Sequence, residues 1–225
     1  MKTSQEYRTL ARTKLQNNWG PAILVCLIVV GVSAFMNFIP LVGGIIALLI
    51  SGQLMVGEMI YFSKLVKNEN PVVGTIFTDF SKNLTSNFIT YLLYNLYIIL
   101  WTLLFIVPGI IKSYSYSMTF YLKSKNPQLS ASEAITISKN IMNGKKWSLA
   151  CLHFSFVGWF LLSILTLGVG FVFLIPYMQT ATVEFYEQCY NSYLTKEALT
   201  TSINEIENID NSSSTEKTTH QNENN

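Results

Sequence analysis

Residues 147–183 read WSLACLHFSFVGWFLLSILTLGVGFVFLIPYMQTATV, a run of 37 residues that holds no formally charged side chain. The hydrocarbon core of a bilayer is about 30 Å thick, and about 20 helical residues cross it. The run is too long for one crossing, and Leu167-Gly168-Val169-Gly170 supplies a turn near its middle. It therefore predicts two transmembrane helices, at roughly 147–166 and 169–188, joined as a hairpin.

Apolar runs upstream repeat this pattern. The segment 21–39 is uncharged, 41–62 holds only Glu58, and 84–111 is uncharged up to Lys112. The sequence thus predicts an all-α, polytopic membrane protein with about six transmembrane helices, linked by amphipathic cytoplasmic helices. These crossings form three hairpins, namely 21–39 with 41–62, 86–103 with 105–122, and 147–166 with 169–188.

The composition excludes several classes of protein. Half of the 225 residues are hydrophobic and 12% are charged, whereas soluble domains carry about 25% charged residues. A disordered chain, a disulfide-rich secreted domain and a nucleic-acid binder with a basic face are therefore excluded. The cysteines Cys26, Cys151 and Cys189 form no CxxC pair, so neither a metal site nor a redox cofactor is expected.

The fourth segment is the weakest of the six, because Lys112 and the Ser/Tyr-rich stretch 113–117 interrupt it. Charge placement argues that it still crosses, since five lysines between 123 and 146 would otherwise lie outside. With six crossings the turns near 40, 104 and 168 carry no charge, and the positive-inside rule predicts a multi-pass plasma-membrane protein with both termini cytoplasmic. The cytoplasmic cations are then Lys2, Arg8, Arg12, Lys14, Lys64, Lys67, Lys82, Lys123, Lys125, Lys139, Lys145 and Lys146.

The polar segments divide the chain. Residues 1–20 form an amphipathic cytoplasmic segment, and residues 21–190 form the transmembrane domain, with cytoplasmic linkers near 63–85 and 123–146. Residues 191–225 are rich in Asn, Ser, Thr and Glu. Because this composition offers little apolar surface to bury, it predicts a disordered cytoplasmic tail.

Two polar segments also carry helix signals. Ser130-Ala131-Ser132-Glu133 has the spacing of a capping box, and residues 3–18 place Tyr7, Ala11 and Leu15 on one side. Such helices are expected to lie in the inner membrane interface, with apolar faces toward lipid or a protein partner. The alternative is a connector that merely follows the membrane surface.

Each returning crossing ends in a pair of aromatic residues. The pairs are Tyr61-Phe62, Phe120-Tyr121 and Phe185-Tyr186. Amphipathic rings favour the headgroup level of a bilayer, so these pairs are predicted to lie there.

Four ionisable residues lie in or near the crossings: Glu58, Lys112, His153 and Glu184. Charges in a bilayer are costly and often mark function. The functional hypothesis is a polar pathway that joins Lys112 and the Tyr/Ser face of the fourth crossing to Glu58 or Glu184. In the structural alternative, Glu58, Glu184 and Lys112 extend toward the headgroups, and His153 is hydrogen-bonded to a neighbouring helix.

A series of short stretches follows one order over about residues 5–190. They are Ala11-Arg12 to Trp19-Gly20, WTLLFIVPGIIK at 101–112, Tyr114-Ser115-Tyr116-Ser117-Met118, Glu133-Ala134-Ile135 to Ser138, Met142-Asn143-Gly144, Gly168-Val169-Gly170, and Pro176-Tyr177 to Phe185-Tyr186. In this order they resemble a family of small bacterial integral membrane proteins catalogued as domain of unknown function 975. The resemblance implies a bacterial plasma-membrane protein and supplies no activity, substrate or site residue.

Sequence motifs of enzymes are absent: there is no phosphate-binding glycine loop, His-Glu-x-x-His or Gly-x-Ser-x-Gly. The expected function is therefore that of a non-enzymatic binding, scaffold or regulatory protein, whose partner besides the bilayer is a membrane protein or a second copy. A small-molecule transporter or export component is the alternative, because repeated hairpins are common in transporters.

Overall fold

All secondary structure in the described part of the chain is helical, as the long apolar runs predict. The computed structural model describes residues 2–37, 42–78 and 83–222. Three predicted features lie outside these residues, namely the turn at Pro40, the adjoining helix limits at 39 and 41, and the cytoplasmic Lys82.

The helices follow the order of the predicted segments but are more often interrupted. A short 3-10 helix, Val73–Phe77, lies between α3 and α4. The α helices are α1 Ser4–Leu15, α2 Trp19–Asn37, α3 Val42–Val66, α4 Leu84–Leu104, α5 Ile106–Tyr116, α6 Thr119–Lys125, α7 Ala131–Ile141, α8 Lys146–Phe154, α9 Val157–Leu165 and α10 Val169–Asn222.

Fewer helices than the predicted six are long and apolar enough to cross a membrane. Among the described residues three stretches qualify: Ile46–Val66, Leu84–Leu104 and Lys146–Leu165. A fourth is added if Ser4–Leu15 and Trp19–Phe35, which meet at a bend of 103°, form one span. The fourth predicted crossing is absent from this set because it is divided into α5 and α6, each shorter than a bilayer requires.

The helices α5 and α6 return alongside α4. The chain turns at Phe105, whose backbone is extended (φ −160°, ψ 142°). Ring and hydrogen-bond contacts continue from this turn to the start of α4, which places α4 antiparallel to both later helices. The contacting pairs are Gly109 with Thr102, Tyr116 with Tyr97, Phe120 with Tyr94, and Lys123 with Ser86.

A side chain from α7 bridges the break between α5 and α6. The hydroxyl of Ser138 donates to Ser115 O (2.9 Å) and accepts from Met118 N (3.2 Å). Ser138 is fully buried. The interruption is therefore stabilised from outside the helix, because α7 supplies partners for backbone groups that the break leaves open.

The turn between α9 and α10 lies where the glycine-rich stretch predicts it. Leu167 and Gly168 both have positive φ (52° and 90°), and a non-glycine residue rarely adopts this conformation. Just beyond the turn, a Cβ on Gly170 would lie 2.6 Å from Ser163 Oγ. Glycine at position 170 thus lets α9 and α10 approach closely.

The amphipathic helices α1 and α7 begin as the sequence predicts, each with a capping box, formed by Thr3 with Glu6 and by Ser130 with Glu133. Hydrogen bonds to the backbone and hydroxyl of Ser130 hold the pKa of Glu133 below its usual value. The two caps fix the start of both helices.

The interpretation that the apolar faces of these helices lie on lipid is wrong. Tyr7, Ala11 and Leu15 of α1 are buried, and α1 packs on α3 and α8. Ala134 and Ile135 of α7 are buried as well, because α7 packs on α4, α5 and α6. Other helices of the protein therefore occupy the faces that the pattern assigned to lipid or to a partner.

The three aromatic pairs are buried. Tyr121 of α6 lies 5.7 Å from Tyr186 of α10, and Tyr7 of α1 lies 5.4 Å from Phe185 of α10, between ring centroids. The pairs therefore contribute to packing between helices. Their position at the headgroup level stays a prediction.

The contacts between residues divide the chain after Glu187 into two units, Met1–Glu187 and Gln188–Asn225. In the second unit α10 continues through Asn222, where the sequence predicts a disordered tail from 191. The tail has few bulky apolar residues with which a helix could pack, so its helical form depends on local propensity. Its disorder in solution stays a prediction.

Candidate functional site

Polar side chains in the first unit are buried between helices, where they form pairs. Asn87 Nδ2 on α4 donates to Gln53 Oε1 on α3 at 2.6 Å. Both side chains are buried. Because an unpaired amide in an apolar region is costly, each such pair specifies which helices adjoin.

Glu58, the first of the predicted site residues, lies on α3 and is 7% exposed. Its Oε1 accepts a hydrogen bond from Gln179 Nε2 of α10 at 3.1 Å. The described residues offer it no lysine or arginine partner. The carboxyl group thus joins α3 to α10 through a neutral amide.

His153 lies on α8 and contacts α10. Its Nε2 lies 3.3 Å from Thr182 Oγ1, and the Thr182 hydroxyl already donates its hydrogen to Met178 O at 2.8 Å. His153 must therefore donate from Nε2. The predicted hydrogen bond to a neighbouring helix is present, and it ties α8 to α10.

Glu184 lies on α10 and pairs with Lys2, with Oε1 at 3.4 Å from Nζ. The other carboxylate oxygen, Oε2, is buried and has no hydrogen-bond partner. The pair links the segment preceding α1 to α10, with Lys2 exposed. Glu184 is thus an anchor for the N-terminal segment.

Lys112 is separate from the other three predicted residues. Its Nζ lies 4.3 Å from the ring centroid of Trp101, in a cation–π contact between α5 and α4. No contact among the described residues joins Lys112 directly to Glu58 or Glu184.

Sequence reasoning missed Glu187, which has three polar partners. Its carboxylate accepts from Tyr121 OH at 2.6 Å and pairs with Lys125 (2.8 Å) and Lys67 (3.3 Å). Lys67 follows α3 and Lys125 ends α6, so Glu187 joins the ends of these two helices to α10. Nothing in the local sequence signals this role, because its partners lie far from Glu187 along the chain.

The outer surface is apolar. Large hydrophobic side chains are exposed on α2, α4, α5 and α9, and Leu103 next to the α4–α5 turn is 83% exposed. Soluble monomers rarely expose contiguous apolar patches of this extent. Within the described part of the chain no group of three His, Cys, Asp or Glu side chains is placed to hold a metal ion.

Comparison with known proteins gives one match. No curated protein and no solved structure matches the chain. The model of a family described as "Protein of unknown function (DUF975)" matches residues 1–115 and 103–192, which confirms the resemblance found in the sequence. The protein therefore belongs to the family of unknown function DUF975.

Proposed function

We propose that this chain is a multi-pass protein of the bacterial plasma membrane, with six crossings in three hairpins and both termini cytoplasmic. The observation that carries the proposal is the exposed surface of α2, α4, α5 and α9, which presents many large apolar side chains. Water disfavours such a surface, whereas lipid solvates it.

Several contacts support the proposal that the fourth and sixth segments, 105–122 and 169–188, cross the membrane. The helices α5 and α6 together extend beside the whole of α4, from Thr102 to Ser86, and α4 is itself long enough to span. The apolar first part of α10 packs on α9 from Gly170 onward. Each segment therefore packs against a stretch that is long enough to span a bilayer, namely Leu84–Leu104 or Lys146–Leu165.

We further propose a non-enzymatic binding or scaffold role. The buried ionisable side chains have structural partners on neighbouring helices, which leaves the inner surface as the region for recognition. A transport pathway has less support, because Glu58, His153 and Lys112 each contact a different helix partner. The exposed polar faces of α1 and α7 are the surfaces a partner would meet.

Cysteine labelling tests the topology. In a variant whose three cysteines are replaced by serine, we expect an impermeant maleimide added to intact cells to label Leu104→Cys and Leu167→Cys. Asn140→Cys should react only after the membrane is opened. Labelling of Asn140→Cys in intact cells would contradict the six-crossing topology, since the lysine-rich segment would then lie outside.

Site-specific crosslinking tests the binding role. A photo-crosslinker placed at Thr136 or Asn140, both exposed on α7, is expected to give one discrete protein adduct in native membranes. The matched control carries the crosslinker at Leu103, which faces outward beside the turn and should give no discrete adduct. Absence of adducts at Thr136, Asn140 and the exposed Thr9 of α1 would contradict a scaffold role.

A further inference from the structure

The connector between α3 and α4 contains a short apolar segment. Residues 71–78 read PVVGTIFT and hold no charged side chain, although Glu69 and Asp79 lie close on either side in the sequence. These eight residues are far too few to cross a bilayer. They contain the 3-10 helix Val73–Phe77, which packs on both α2 and α3. The 71–78 segment therefore lies against the helices that precede it.

The chain reverses direction directly after α3. Asn68 and Asn70 both have positive φ (61° and 46°), a conformation that asparagine adopts more readily than most other residues with a side chain. Between them, Glu69 N donates to Lys64 O at 3.0 Å. This tight turn allows the 71–78 segment to return along the helix that the chain has just left.

Gly57 on α3 marks the level that the segment reaches. The carbonyl group of Ile76 lies against Gly57, where a Cβ would collide with the carbonyl oxygen and lie 3.0 Å from the carbonyl carbon. Gly57 precedes Lys64, the only cation of α3, by seven residues, which is about 10 Å along a helix. Gly57 also lies within Ile46–Val66, a stretch long enough to span a bilayer. The 71–78 segment thus extends from the charged end of α3 to a level beside its apolar part.

The two faces of the 71–78 segment meet different surroundings. Thr75 and Ile76 are buried, because the 3-10 helix packs on α2 and α3. On the other face, the side chains of Val72 and Phe77 are 72% and 47% exposed. The larger side chains that the segment turns outward are therefore apolar, as contact with acyl chains requires.

The backbone of the 71–78 segment is hydrogen-bonded within itself. Thr75 N donates to Val72 O at 2.9 Å, and the N–H and the hydroxyl of Thr78 both donate to Thr75 O, at 3.3 and 2.6 Å. Irregular backbone is tolerated at membrane depth only where its polar groups are paired or buried in protein. The 3-10 turn and its packing on α2 and α3 therefore suit a position within a bilayer.

We propose that the 71–78 segment is re-entrant: it dips into the leaflet at which α3 ends and places Val72 and Phe77 among the acyl chains. The inference rests on the proposed membrane role and adds a lipid-binding surface to the connector. It holds whichever side of the membrane is cytoplasmic, because the segment enters from the side at which α3 leaves. Two exposed side chains offer far less than the roughly 800 Å² per partner that a stable protein interface buries, so lipid is the occupant.

Spin-label accessibility in lipid vesicles tests the proposal. The full chain, with its three cysteines replaced by serine, carries one nitroxide at Phe77→Cys or Val72→Cys and is reconstituted into phosphatidylcholine vesicles. Oxygen concentrates in hydrocarbon, whereas a polar nickel chelate stays in water. We expect oxygen to relax the label at Phe77→Cys more strongly than nickel does, with a smaller excess at Val72→Cys, which lies nearer the turn. The lipid reference is Leu96→Cys, exposed on α4, and the water reference is Asn140→Cys, exposed on α7.

The possible outcomes separate this proposal from the membrane role. If nickel relaxes Phe77→Cys more strongly than oxygen while Leu96→Cys favours oxygen, the segment lies in water and the proposal is overturned, although the membrane role stands. If Leu96→Cys also favours nickel, both fail. Spectra of Phe77→Cys that are broadened by spin–spin coupling, and sharpen on dilution with unlabelled protein, would show that a second copy covers the segment and would overturn lipid as its occupant.

Gly57→Ala tests how the segment is held. The added Cβ would push the backbone of Ile76 away from α3, so we expect nickel relaxation at Phe77→Cys to rise toward the value at Asn140→Cys. Gly31→Ala on α2 is the matched control, because no atom lies within 4 Å of a Cβ at Gly31, and it should leave the accessibility unchanged. An unchanged accessibility in Gly57→Ala would overturn the placement of the segment against α3. If the Gly57→Ala protein is not recovered, the oxygen excess at Phe77→Cys decides the proposal.

Discussion

Replacing Gly52 by leucine is expected to disrupt the packing of α3 on α4 and to leave little folded protein. A Cβ at Gly52 would collide with the carbonyl oxygen of Asn87 and lie 2.9 Å from Tyr91 Cβ. These atoms belong to the backbone and to the first side-chain carbon of α4, so they cannot rotate away. The helices would have to separate, at a cost of about 3 kcal/mol or more.

The cost exceeds the gain in helix propensity, which favours leucine over glycine by about 1 kcal/mol. The measurement is the midpoint of thermal unfolding of the detergent-purified protein, together with its yield. Gly158→Leu is the matched control, because no atom lies within 4 Å of a Cβ at Gly158. This control should unfold at or slightly above the wild-type midpoint. Equal midpoints for Gly52→Leu and Gly158→Leu would show that α3 and α4 do not pack as described.

Features that depend on neighbouring residues could be predicted from the sequence. The chain breaks between α9 and α10 at the predicted glycine turn, and α7 begins at the predicted capping box. The break at Phe105 also falls beside the turn expected near 104. Each of these breaks is determined by a glycine, a helix cap or the length of an apolar run. Because these signals lie within a few residues of the break, the sequence is sufficient to predict it.

Features that depend on distant residues could not be predicted. An apolar stripe on a helix has the same pattern whether it faces lipid or protein, so the sequence could not show that the stripes of α1 and α7 pack on other helices of the chain. Glu187 was missed because its partners Lys67 and Lys125 are close in space and far apart in sequence.

The candidate site shows the same division. Position within an apolar run predicts that Glu58 and His153 require a polar partner, and the structure supplies one for each on α10. The run does not predict which helix supplies that partner. The cation–π contact of Lys112 with Trp101 could not be predicted either, because it depends on how α5 packs on α4.

Replacing Lys123 by methionine is expected to destabilise the connection between α6 and α7. Lys123 is fully buried (0% exposed), and its ammonium donates to Ser86 Oγ (2.7 Å), Pro127 O (3.0 Å) and Leu129 O (2.7 Å). All three ammonium hydrogens are therefore used. Methionine keeps an unbranched side chain, one atom shorter, but leaves the three acceptors without this donor, at a cost of about 1 to 3 kcal/mol for each acceptor that water does not reach.

The substitution also removes the free-energy cost of burying the ammonium charge. This gain is small, because the three hydrogen bonds of Lys123 already compensate most of that cost. We expect a lower unfolding midpoint and faster hydrogen exchange over residues 126–131, which contain the carbonyls that lose their donor. Lys64→Met is the matched control, since Lys64 is half-buried and its side chain makes no hydrogen bond or ion pair with the described residues. If both variants exchange at the same rate, Lys123 does not hold this connection, and α7 must be positioned against α5 by Ser138 and its apolar face alone.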